Sequence, residues 1–172
     1  MRAGPLVVRQ RKELTMADKA EAIAQLQAAH DGFRAPIAEL PDAAYGETFL
    51  GTWNLSQILA HMSGWYDELA PGFERAGRGE RPTPEGVDYS DPQPWNDKFA
   101  AKARPGRAAL AQFDASYDNY KAAAEKLDAS NYGVDPERGR PKIGNRLLQG
   151  AGIGHFEEHT PDVASWLASR KA

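Results

Sequence analysis

The sequence contains no cysteine. This absence excludes disulfide frameworks, thiolate zinc sites, iron–sulfur clusters and a cysteine nucleophile. A metal ion would therefore have to be bound by histidine, aspartate or glutamate. Long apolar runs are lacking as well, because no stretch approaches the ~20 residues that cross a bilayer. We therefore expect no membrane-spanning segment and no membrane partner.

An excess of charge of either sign is also missing. The 172 residues include 21 basic and 24 acidic side chains, a formal net charge of −3. Proteins that bind nucleic acid electrostatically usually carry a clustered basic excess, and on this ground we predict no nucleic-acid partner. The length fits one domain, and the 41% hydrophobic and 26% charged residues are ordinary for a soluble globular protein.

Residues 1–16 form a basic N-terminal extension with one short apolar patch at residues 5–8. The patch is shorter than the ~7–15 apolar residues of a signal peptide. We therefore expect the extension to be poorly ordered and the protein to be cytoplasmic. The remaining residues, 17–172, are assigned to one folded domain.

Four segments carry apolar residues at helical spacing. They cover residues 17–40, 54–76, 94–127 and 143–169, and the third is interrupted near residues 104–106. Each segment has an apolar stripe about one helix face wide, which is the pattern that an antiparallel four-helix bundle buries. Because strand-like alternation is scarce, we predict an all-α fold without a sheet.

Prolines mark the predicted connections. Residues 77–94 contain four prolines and three glycines, a density that predicts a long loop between helices 2 and 3. A connection of this length often covers a site. Pro36, Pro71 and Pro161 lie inside the helical patterns, where each is expected to kink or end its helix. Asp162 would then suit the first turn of a new helix.

The four histidines are the most informative residues. His155 and His159 are four residues apart on one predicted helix, so their imidazoles project from the same face. His61 lies at the edge of the apolar stripe of the second predicted helix. It would complete a three-nitrogen site suited to zinc, nickel or a similar divalent ion. The residues alone leave open the alternative of core histidines bonded to backbone carbonyls, and His30 is interpreted as structural or surface.

Two motifs resemble those of a known family. Residues 53–65, WNLSQILAHMSGW, are similar to the second-helix motif of the DinB/YfiT superfamily, and residues 154–162, GHFEEHTPD, are similar to its last-helix motif. The resemblance covers residues 17–170. It implies a four-helix bundle, and many members of this superfamily bind a divalent metal ion through three histidines. It therefore favours His61, His155 and His159 as metal ligands.

Residues 95–97, WND, are similar to the Trp-Asn-Glu of the ClbS/DfsB (DUF1706) branch. That branch includes a protein that opens the cyclopropane of a genotoxin, and several members lack the full set of histidines that this sequence has. Because all three histidines are present here, resemblance to the wider DinB/YfiT superfamily implies a metal-dependent enzyme acting on a small molecule, either a hydrolase or a transferase that uses a low-molecular-weight thiol. The alternative is a metal-free small-molecule-binding or toxin-resistance protein with the histidines in a polar core.

Catalytic side chains are less clearly indicated. Glu158 could transfer a proton beside a metal ion, or it could be an exposed helix residue. Tyr66 could donate a proton to a substrate oxygen, or it could lie in the core. A homodimer is also compatible with a bundle that exposes apolar helix faces.

Overall fold

Long helices form most of residues 17–171, the part of the chain that a computed structural model describes. In chain order the helices are α1 (Lys19–Ala38), α2 (Leu55–Gly77), α3 (Gln93–Ala100), α4 (Arg107–Lys126), α5 (Ile143–Leu147) and α6 (Gly154–Ser169). The predicted all-α four-helix bundle is confirmed. The predicted third helix is divided into α3 and α4 at the expected interruption. The N-terminal extension, residues 1–16, lies outside the described residues.

Helix α1 begins with a side-chain cap. The Asp18 side chain accepts a hydrogen bond from the backbone N–H of Glu21 and caps the helix. Residues at helical spacing face the core: Ala22, Leu26, His30, Phe33 and Ile37. Pro36 is exposed, and the helix continues past it to Ala38, so the proline does not end α1.

Helix α2 carries His61 and begins with a reciprocal cap. The Asn54 side chain accepts from the backbone N–H of Gln57 over 2.9 Å, and the Gln57 side chain accepts from the backbone N–H of Asn54 over 3.0 Å. This capping box satisfies two donors at the helix start. Pro71 is exposed within α2, which continues to Gly77, so this proline does not end its helix either.

The last helical stretch carries the predicted histidine pair. A π-helical segment, Leu148–Ile153, joins α5 to α6. Gly154 follows it at a position where a Cβ atom would lie 2.6 Å from the carbonyl oxygen of Gln149. Pro161 is exposed inside α6. Asp162 therefore lies within a continuous helix, and its assignment to the start of a new helix is wrong.

Two short antiparallel strand pairs lie in the connections, which corrects the prediction that no sheet is present. Strand β1 (Thr48–Leu50) pairs with β2 (Trp53–Asn54) directly before α2, and β3 (Val134–Asp135) pairs with β4 (Arg140–Pro141) before α5. Strands of two or three residues are too short to show alternation in the sequence. Residues 78–92 connect α2 to α3 as the predicted long loop.

The core lies between α1, α2, α4 and α6 and is rich in aromatic rings. Tyr66 of α2 packs among four of them: Phe113, Tyr117, Tyr120 and Phe156. His30 stacks on Tyr117 with ring centroids 3.7 Å apart, so His30 is a structural residue of this core. Within residues 17–171, none of the helices combines the length and the apolar character needed to cross a membrane.

Candidate functional site

His61 and His159 meet inside the bundle, where α2 approaches α6. Their Nε2 atoms are 3.3 Å apart, and their ring planes are perpendicular, at 90°. Only 2% of His61 and 5% of His159 is exposed. Packing of the two helices thus brings together two nitrogens whose residues are 98 positions apart in the sequence.

His155 completes the group. Its ring centroid lies 5.1 Å from that of His61 and 6.0 Å from that of His159, and the residue is half-buried. Trp53 also borders the group, with its ring centroid 5.0 Å from that of His61. The three histidines that the sequence singles out therefore lie together, and the partial exposure of His155 connects the group to solvent.

Backbone carbonyl groups orient two of the three rings. Nδ1 of His61 donates to the carbonyl of Ile58 over 2.7 Å, and Nδ1 of His155 donates to the carbonyl of Ala151 over 2.8 Å. Because a carbonyl only accepts, each neutral ring has its proton on Nδ1 and a lone pair on Nε2. Metal-binding histidines in proteins are usually oriented in this way. Ala151 belongs to the π-helical segment, which therefore sets the direction of His155.

The ring of His159 is oriented differently, because its Nδ1 has no hydrogen-bond partner among the described residues. The nearest carboxylate oxygen, Oδ2 of Asp162, is 3.7 Å away and beyond hydrogen-bond length. If the neutral ring carries its proton on Nε2, the Nδ1 lone pair faces this carboxylate. If the proton is on Nδ1, two Nε2 lone pairs face each other across 3.3 Å. Either tautomer leaves one repulsive contact.

Burial keeps these histidines neutral near pH 7. It is the main cause that lowers the pKa of His61 from 6.5 to about 3; the neighbouring rings of His155 and His159 contribute to the same shift, and the hydrogen bond to Ile58 opposes it. Burial also lowers the pKa of His155 to about 4, against the hydrogen bond to Ala151. The pKa of His159 is lowered by burial too, although Glu158 and Asp162 oppose the shift. Neutral imidazole is the form that binds a metal ion.

The distance between the two Nε2 atoms is compatible with a shared metal ion. Two nitrogens bound tetrahedrally at about 2.0–2.1 Å from zinc are about 3.3–3.4 Å apart, and those of His61 and His159 are 3.3 Å apart. As the side chains stand, no group of three or more histidines and carboxylates within residues 17–171 is arranged to hold a metal ion. His61 and His159 are thus spaced to share one ion, and the His155 ring would have to turn towards them to supply a third nitrogen.

The two catalytic candidates lie in different surroundings. Glu158 is exposed on α6, directly before His159. Tyr66 is fully buried, its hydroxyl has no hydrogen-bond partner within the described part of the chain, and burial raises its pKa well above the ordinary value. A catalytic role for either residue stays a prediction.

Two contacts of the histidines were not predicted, one with Asp162, which was assigned to the start of a new helix, and one with Trp53. Asp162 faces His159 because α6 continues through Pro161. Its position three residues after His159, on the same helix face, was the available signal. Trp53 reaches His61 through the chain reversal that pairs β1 with β2, and the sequence has no comparable signal for this contact.

Comparisons with known proteins identify related folds. A family model of the DinB superfamily matches residues 25–159. No curated protein matches the sequence. Among solved structures, the colibactin self-resistance protein ClbS, in complex with a dsDNA, has a TM-score of 0.71 at 14% identity, covering 86% of this chain and 94% of its own. A Streptococcus pneumoniae protein has a TM-score of 0.69 at 11% identity, covering 87% of this chain and 90% of its own.

The mycothiol-dependent maleylpyruvate isomerase has a TM-score of 0.64 at 17% identity. The match covers 85% of this chain but only 60% of the isomerase. At these identities, each of the three structures is evidence of a shared fold.

The prediction that excludes nucleic acid as a partner is wrong. It was based on net charge, but ClbS, which shares the fold, was crystallised with double-stranded DNA. A net charge sums the whole chain, whereas electrostatic binding depends on local charge. Arg138, Arg140 and Arg146 are all exposed and close in sequence, so basic residues are grouped locally despite the net charge of −3.

Proposed function

This chain belongs to the DinB superfamily, and on that premise we propose that it is a metal-dependent enzyme acting on a small molecule. His61, His155 and His159 would bind one divalent ion, zinc or nickel, through their Nε2 atoms. The reaction would be a hydrolysis or a transfer that uses a low-molecular-weight thiol. The mycothiol-dependent isomerase of the same fold supports the thiol-dependent form.

The observation that carries this proposal is the contact between His61 and His159. Their buried Nε2 atoms face each other at 3.3 Å, and neither neutral tautomer of His159 satisfies both His61 and Asp162. If His61 and His159 held a divalent cation, their two lone pairs would no longer repel each other. Nδ1 of His159 would then be protonated towards Asp162. The ligand set is one that zinc and nickel accept.

The surroundings of the site favour an anionic or thiol ligand. When bound, a divalent ion supplies Lewis acidity that lowers the pKa of a coordinated thiol or water. Three neutral imidazoles leave the charge of the ion uncompensated, which favours an anionic small molecule. His155 is half-buried, so ligands would enter on its side, and the Trp53 ring beside His61 would exclude water from part of the site.

A metal-free binding or toxin-resistance protein is the second candidate function. The observation that favours it is that, as the side chains stand, no group of three or more histidines and carboxylates among residues 17–171 could hold a metal ion. In that case His61 and His155 are core histidines bonded to the carbonyls of Ile58 and Ala151. Because ClbS was crystallised with dsDNA, duplex DNA should be tested as a ligand together with small molecules.

Elemental analysis of the purified protein distinguishes the two candidates. We expect about one zinc or nickel ion per chain, removed by a chelator and restored by the added ion. The variant with alanine at His61, His155 and His159 should contain none. His30→Gln is the matched control, because His30 is also a buried histidine but lies in the aromatic core, and it should retain the metal. Equal metal content in the wild type and the triple variant would refute the assignment.

A further inference from the structure

We propose that Asp162 is a positioning residue that sets the tautomer of His159, so that Nε2 of His159 is available to a metal ion. The inference rests on the proposed function. It concerns a side chain that the sequence motif includes only as the last residue of GHFEEHTPD. The three Nδ1 atoms of the histidine group differ in their hydrogen-bond partners.

His159 is the one member of the group whose Nδ1 is not held by the backbone. Nδ1 of His61 and Nδ1 of His155 each donate to a carbonyl, over 2.7 Å and 2.8 Å. Nδ1 of His159 is buried and has no hydrogen-bond partner within residues 17–171. A buried donor or acceptor left without a partner is destabilising, so Nδ1 of His159 is the one ring atom of the group that still lacks a hydrogen-bond partner.

Asp162 is close enough to become the hydrogen-bond partner that Nδ1 of His159 lacks. Its Oδ2 atom lies 3.7 Å from Nδ1 of His159, one helical turn further along α6. The Asp162 side chain is 38% exposed, whereas that of His159 is 6% exposed. The carboxylate can therefore rotate at little cost, and a shift of less than about 1 Å brings it to hydrogen-bond length. Glu158, the other carboxylate beside His159, is exposed on the helix surface.

An Nδ1–H bond to Asp162 has a specific consequence. This hydrogen bond excludes the tautomer in which Nε2 of His159 carries the proton and donates to His61. Nε2 of His159 then has a lone pair, and this lone pair and that of His61 face the same space between the two rings. A carboxylate acceptor also makes the imidazole a better ligand, and loss of such outer partners typically weakens metal binding about 10–100-fold. Asp162 would thus accept a hydrogen bond from Nδ1 of His159, as the carbonyls of Ile58 and Ala151 do from Nδ1 of the other two rings.

The test combines two measurements on wild type, Asp162→Ala and Asp162→Asn. In the metal-free protein, long-range ¹⁵N–¹H NMR reports the tautomer of His159, and Asp162→Ala should shift it from Nδ1–H towards Nε2–H. Zinc competition with a chromophoric chelator should show about 10–100-fold weaker binding for Asp162→Ala. A smaller loss is expected for Asp162→Asn, which keeps an acceptor oxygen. Asp118→Asn, exposed on α4, makes the same change in net charge and should alter neither result.

The outcomes separate this inference from the proposed function. If the wild type binds zinc and the zinc affinity of Asp162→Ala is within twofold of that of the wild type, the positioning role is refuted and the metal site stands. If the wild type binds neither zinc nor nickel, the proposed function fails, and the NMR measurement alone decides the role of Asp162. An unchanged His159 tautomer in metal-free Asp162→Ala would overturn the inference in either case.

Discussion

Acid should destabilise the metal-free protein through His61. This ring is 2% exposed, and burial lowers its pKa from 6.5 to about 3. Between these two values the unfolded chain binds a proton that the folded chain does not, so stability falls as the pH falls below 6.5. From pH 7 to pH 5 this linkage removes about 2 kcal/mol of unfolding free energy for His61 alone. Above pH 7 the contribution is constant.

Urea unfolding of the chelator-treated protein at pH 7 and pH 5 measures this effect. The wild type and His61→Leu are compared, because leucine fills much of the same volume and does not titrate. The loss of free energy between the two pH values should be about 2 kcal/mol larger for the wild type. Equal losses in both proteins would mean that His61 is as easily protonated in the folded state as in the unfolded state, and the reasoning would be wrong.

Two further predictions concern the backbone that positions the histidines. Gly154→Ala should destabilise the protein by about 1–3 kcal/mol, because its Cβ would lie 2.6 Å from the carbonyl oxygen of Gln149. Gly150→Ala, in the adjacent π-helical segment, meets no atom within 4 Å and is the control in urea unfolding. Asn54→Ala removes half of the capping box at the start of α2 and should cost about 1 kcal/mol; a thermal midpoint equal to that of wild type would contradict it.

Much of the fold could be predicted because apolar spacing is a local property of the chain. The apolar stripe of α1 is present, and the second helix, predicted over residues 54–76, spans Leu55–Gly77. None of the three prolines inside the helical patterns ends its helix, and the reason is physical. Pro36, Pro71 and Pro161 each remove one backbone donor, but all three are exposed, and the buried faces of their helices hold the backbone in place.

The site was only partly predictable. The spacing of His155 and His159 placed two rings on one face, the position of His61 on the second predicted helix made it the third candidate, and the family motif favoured all three. The 3.3 Å approach of His61 to His159 depends on how α2 packs against α6, which no local pattern contains. The contact of Trp53 with His61 depends on the β1–β2 strand pair, and the approach of Asp162 to His159 depends on a helix that continues through Pro161. Neither feature is indicated by the sequence. Net charge was likewise too coarse a measure to exclude nucleic acid.

The most direct test of the histidine site is anomalous diffraction from crystals grown with zinc and measured on both sides of its absorption edge. We expect one strong anomalous peak within about 2.0–2.1 Å of the Nε2 atoms of His61, His155 and His159. The His155 ring should be turned towards the other two. Absence of a peak between these rings, in crystals whose protein is fully folded and saturated with zinc in solution, would contradict the account.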